Sequence, residues 1–197
     1  MKKSYIKYIT ALLLFGSNGI IASKISLESY RIVCLRTGIG TLLLLLIFLM
    51  KRQKPPVNKK DILFITLSGM AMGVSWICLY EAYGRIGVSL SSLLYYCEPV
   101  IVIVLSPILF KEKLTANAII GFLTVIFGVF LINADTNVKD LEWFGLLCGG
   151  AAAVMYSAMV ILNKFSKKIT GLENSLIQLF ASFVTVALFT AVKSGMA

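Results

Sequence analysis

The sequence contains no histidine. That absence removes imidazole metal sites, axial haem histidine and Ser-His or Cys-His catalysis together. Charge is scarce as well. Charged residues make up 14% of the chain, where a soluble domain carries roughly a quarter. The four cysteines, Cys34, Cys78, Cys97 and Cys148, show no metal-ligand spacing and all lie in apolar segments, where they read as small packing residues. No low-complexity region or domain linker appears. The stretch 51–60, with Pro55-Pro56, is the only polar run of any length. The net charge of +10 is carried by loops, and no basic stripe with interleaved aromatics accompanies it, so nucleic acid is not an expected partner. No nucleophile–base pair is visible, so neither enzymatic chemistry nor a cofactor is expected.

What is present is apolar. Apolar residues form 58% of the chain and mean hydropathy is +0.89. Seven apolar segments can be placed, at 5–23, 30–50, 62–83, 88–110, 116–133, 141–162 and 172–192. Each matches a helix crossing a hydrocarbon core of about 30 Å at about 1.5 Å per residue. The fold class expected is therefore all-α, a multi-pass bundle in a lipid bilayer. Within 62–110, Gly84-Arg85-Ile86-Gly87 is the only break and reads as a tight turn, because the whole region is too long for one span. The start, Met1-Lys2-Lys3 before an apolar run, imitates a signal peptide. The Ile21-Ala22-Ser23 site is a poor one for cleavage, so the segment reads as a retained first span.

Lysine and arginine divide between alternate loops. Thirteen fall on one side (2–7, 51–60, 111–113 and 164–168) and five on the other (Lys24, Arg31, Arg85, Lys139 and Lys193). Basic loops stay cytoplasmic. The N-terminus should then be inside a bacterial cytoplasmic membrane and Ala197 outside.

A weak repeat accompanies this pattern. Lys24-Ile25-Ser26 is echoed by Lys164-Phe165-Ser166, and Leu27-Glu28-Ser29 by Leu172-Glu173-Asn174. A repeat unit of five spans is odd-numbered, so its second copy enters from the opposite face, as in many secondary transporters. The expected units are 1–134, with five spans, and 135–197, with two.

Polar residues inside spans are the site candidates, because a charge in lipid is costly and is kept for a reason. Glu98-Pro99 interrupts the fourth segment near mid-depth. Pro99 has no N–H for the carbonyl of Tyr95. A carboxylate beside a loose carbonyl could hold a cation, a proton or a substrate amine; the structural alternative is an ion pair with Arg36. Arg36 could meet an anionic substrate group, or snorkel to the outer surface. Asn18 reads as a pore contact or an interhelical hydrogen bond. Tyr95, Tyr96 and Tyr156 lie deep enough to stack on a ligand, whereas Tyr80 and Tyr83 sit near a span end like interface anchors. Glu81 and Arg85 flank the turn. Gly69 and Gly73, and the stripe Gly145, Gly149, Ala153 and Ser157, permit close helix packing.

The stretch 80–133 resembles the EamA-type transporters of the drug/metabolite transporter superfamily. The resemblance is carried by Glu98-Pro99, by Glu112-Lys113-Leu114-Thr115, and by the run from Gly121 through Gly128 to Ile132. Phe15 to Lys24 is also similar to that family's first span. The resemblance implies a carrier of a small organic solute (an amino acid, metabolite or drug), with two inverted five-span repeats around a central cavity. It also implies three further spans beyond position 197, and hence a truncated chain with reduced stability and a tendency to form homo-oligomers. The rival from another class is an inert fragment, or an assembly subunit without transport of its own.

Overall fold

The computed structural model describes residues 2–52, 58–111, 116–133 and 142–195, with some side chains of the first and fifth helices outside the description. The described chain is helical, with no strand. The helices are α1 (Lys2–Ser23), α2 (Ser29–Met50), α3 (Lys59–Tyr95), α4 (Glu98–Phe110), α5 (Ala116–Asn133), α6 (Trp143–Phe165) and α7 (Leu172–Gly195). A backbone that satisfies its own hydrogen bonds is what an apolar solvent demands. Large apolar side chains stay exposed along these helices, for example Leu42, Leu46, Leu49 and Met50 on α2. In water such a surface would aggregate; in a bilayer it faces lipid. Stretches long and apolar enough to cross a membrane are Ser29–Met50, Lys59–Phe110, Trp143–Phe165 and Leu172–Gly195. The protein is an integral membrane helix bundle.

Lys59–Phe110 is 52 residues long and does not run straight. Gly87 has φ 79° and ψ 162° inside α3, a conformation open to glycine and strained for other residues. The contacts with α6 show that the chain reverses there. Before Gly87 they run antiparallel: Ser68 Oγ donates to the Met159 carbonyl at 2.8 Å and Ser75 Oγ to that of Ala152 at 2.7 Å. At the turn Ile86 lies on Gly145, and after Gly87 the contacts run parallel, from Leu94 on Gly149 to Phe110 against Phe165. The expected turn is thus present, built on Gly87.

The expected single helix over 88–110 is instead two pieces. The first ends at Tyr95, and α4 begins at Glu98 with a proline in its first turn. Tyr96 and Cys97 form a tight turn between them, in which the Cys97 N–H donates to the Leu94 carbonyl and the Cys97 carbonyl accepts from Val100 and Ile101. Pro99 cannot continue the preceding ladder, but it fits the first turn of a new helix, where no N–H is required.

The small-residue positions find their partners within the chain. Gly69 and Gly73 lie against the backbone of α7 at Gln178 and Ser182. The stripe on α6 lies against the reversed limb of α3 and the start of α4, ending where Ser157 Oγ donates to the Glu98 carbonyl at 3.2 Å. With no hydrophobic drive between helices in lipid, close packing and such hydrogen bonds hold the bundle. The α3, α6 and α7 helices form its core, α2 packs on α7 and α3, and α1 and α5 are peripheral.

The connections collect at two ends. At one, Ser29 donates to the Tyr80 carbonyl, Tyr30 meets Phe189, and Arg85 pairs with Glu142. At the other, the Lys168 N–H donates to Asp61 and Phe165 meets Phe64 and Phe110. These are the same two groups of loops into which the basic residues divide. The α1–α2 and α6–α7 connections, which carry the echoed residues, lie at opposite ends.

Candidate functional site

Arg36, about two turns into α2, is half-buried. Its guanidinium lies 4.2 Å from the Trp76 ring centroid and donates to the Tyr80 hydroxyl at 2.8 Å. Trp76 and Tyr80 are four apart on α3, so one face presents both to α2. Both are buried. Arg36 is therefore cradled by aromatics. Tyr80, read as an interface anchor, belongs to this cradle; Trp76 is a residue that sequence reasoning passed over. The i, i+4 aromatic spacing opposite an intramembrane arginine was the available signal.

Arg36 and Glu98 do not form an ion pair. Among the described residues, Glu98 has no basic partner within 4.0 Å. It is half-buried at the N-terminus of α4. That terminus carries partial positive charge, which favours a carboxylate there. Its backbone is anchored by the Ser157 hydroxyl, so the carboxylate stands on a fixed point beside the helix break.

Tyr95 and Tyr156 are brought together edge to face, with centroids 5.0 Å apart. Tyr95 is 4% exposed. Among the described residues its hydroxyl meets no hydrogen-bond partner. An orphaned buried polar group costs about 1–3 kcal/mol. Tyr156 lies near enough to feel the charges of both Glu98 and Arg36. Of the five candidates, four thus surround one region between α2, α3, α4 and α6. The side chain of Asn18 and the segment Glu112 to Thr115 lie outside the described residues.

Arg85 has a different place. It pairs with Glu81 at 2.9 Å and with Glu142, and lies 4.6 Å over the Phe144 ring. This clasp ties the Gly87 turn to the start of α6, a structural role.

Comparison with known proteins agrees with this architecture. The sequence profile of the EamA-like transporter family matches residues 2–134. The uncharacterized transporter YxxF of Bacillus subtilis is 26% identical over 164 residues, covering 81% of this chain and 53% of that protein. The uncharacterized transporter YoaV of the same organism is 28% identical over 137 residues, covering 68% and 46%. An uncharacterized transporter of Helicobacter pylori is 30% identical over 136 residues, covering 65% and 44%. The chain spans about half the length of the curated relatives it matches. No solved structure matches. With its profile match covering more than half of the chain, this protein belongs to the EamA-like transporter family.

Proposed function

We propose that the chain carries a small organic solute across the membrane by alternating access, with Glu98, Arg36, Tyr95, Tyr156 and Asn18 forming the substrate site. The observation that carries the proposal is the half-buried Glu98 carboxylate, without an ion-pair partner among the described residues, at a broken helix in a chain of this transporter family. Discontinuous helices at mid-depth are where secondary transporters bind their substrates and ions. The orphaned Tyr95 hydroxyl adds a group that a ligand would satisfy. The proposed units are 1–134 as a five-helix repeat and 135–197 as the start of an inverted one.

The test is flux. The protein in liposomes should take up members of a panel of amino acids, amines and organic acids, saturably and above protein-free vesicles. No flux for any member would favour the subunit without transport of its own.

The orientation proposed is N-terminus cytoplasmic, on the thirteen-to-five division of basic residues. Single cysteines placed at Asn58 and Ser194, in a chain freed of its native ones, should react with a membrane-impermeant thiol reagent from opposite sides. Asn58 should be reached only from the cytoplasmic side. Labelling of both from one side would overturn the odd number of crossings.

A further inference from the structure

Beside Arg36 lies a cavity of about 260 Å³. Its walls are aliphatic, from Ile21, Ile25, Ile32 and Leu35, and its polar atoms come from Arg36 and Tyr80. We propose that this cavity takes a small apolar monoanion of the carboxylate class, with the Arg36 guanidinium as its counter-ion. The proposal deepens the carrier reading and rests on it for its physiological sense.

The charge argument is direct. A guanidinium stays protonated wherever it is placed. Among the described residues Arg36 has no carboxylate within 4.0 Å, only the Tyr80 phenol and two aromatic faces. Tyr83 and Tyr156, which also feel its charge, are phenols. Glu98 does not line the cavity. Among the described residues the site therefore carries a positive charge with no carboxylate beside it, and in a medium of low dielectric a single anion is favoured there. A carboxylate suits the planar fork of guanidinium N–H donors. A cation would be repelled, and a neutral solute would leave the charge as it was.

Size narrows the class further. A dry apolar cavity of about 150 Å³ holds benzene. This one is half-open, and at about 260 Å³ it admits an aryl ring with a short side chain.

Trp76 supplies the readout, since it touches the guanidinium. The other tryptophan, Trp143, is 80% exposed at the start of α6, so Trp143→Phe leaves Trp76 as the single reporter. The full chain, in nanodiscs of zwitterionic lipid, is titrated with phenylacetate, phenethylamine and 2-phenylethanol. These share a ring and differ in the charge of the head group. Phenylacetate should change Trp76 emission saturably, with apparent affinity at least tenfold above the other two. Arg36→Gln should abolish the response. Ile32→Phe, which keeps the charge and fills the cavity, should weaken it several-fold, and so tests the site even where Arg36→Gln does not fold. The proposal is overturned if phenylacetate gives no saturable response, if the amine or alcohol binds equally well, or if a monodisperse Arg36→Gln or Ile32→Phe chain binds phenylacetate as the parent does. Binding is read without flux, so a chain that binds phenylacetate but carries no solute would keep this inference and remove the carrier reading.

Discussion

Gly69→Ala should lower the thermal midpoint of the detergent-solubilised protein well below that of Gly150→Ala. A Cβ at Gly69 would lie 2.2 Å from the Gln178 carbonyl oxygen and 2.8 Å from the Ala181 Cβ. Neither is the end of a flexible side chain, so nothing local can yield. The α3 and α7 helices must separate instead. That strains the Gln178–Ser68 hydrogen bond of 2.7 Å and, through it, the Ser68–Met159 bond of 2.8 Å. Overpacking of this kind costs about 1–3 kcal/mol, and for a chain of this size each kcal/mol lowers the midpoint by roughly 2–4 °C. At Gly150 a Cβ meets nothing within 4 Å. The helix gains from losing a glycine there, by up to about 1 kcal/mol. The two changes should therefore move in opposite directions. Equal midpoints would mean that α3 and α7 do not approach as closely as described.

Glu98→Gln should abolish flux, or reduce it by roughly tenfold or more, which is about 1.4 kcal/mol, while membrane insertion and yield stay normal. Glutamine keeps the shape and removes the charge. Because no basic partner lies within 4.0 Å among the described residues, the change strands no buried cation there, and the loss that follows a broken buried pair is not expected. A half-buried, unpaired carboxylate is itself a cost that the helix N-terminus offsets by only about 0.3–1 kcal/mol. The variant should thus be as stable as the parent or more so, the trade between stability and activity seen where a residue is retained for function. The readouts are flux in liposomes and thermal midpoint, measured on the same preparation. Reduced yield that is restored by adding Arg36→Gln would instead revive the ion pair, and normal flux would remove Glu98 from the site.

Much of this architecture was legible in the sequence. A helix in lipid satisfies its backbone within itself, so each apolar run specifies its own helix without help from the others. The turn was legible at Gly84 to Gly87 because no other break divided that long apolar region, and the structure narrows it to the positive φ of Gly87. Basic residues are costly to move across a membrane, so their division between loops could be read one loop at a time. Glu98, Arg36, Tyr95 and Tyr156 stood out because polar and aromatic groups at that depth are few.

Pairing was not legible. Arg36 had a carboxylate, Glu98, at plausible reach in a linear reading, but the structure gives it Trp76 and Tyr80. The choice depends on how α2 is rotated against α3, and no local pattern encodes that angle. The break at Tyr96 and Cys97 was half legible. Proline forbids the ladder from continuing, yet a kink and a restart present the same residues. Only the contact of Ser157 with the Glu98 carbonyl shows where the new helix is held. The partner of Gly69 was likewise decided by tertiary structure, since a glycine announces that something comes close without naming it. The sequence by itself determined the apolar runs that become helices, the loops between them and the residues too polar to be there by accident. Which faces meet was decided by packing between helices far apart in the chain, where shape complementarity and interhelical hydrogen bonds replace the hydrophobic drive that lipid removes.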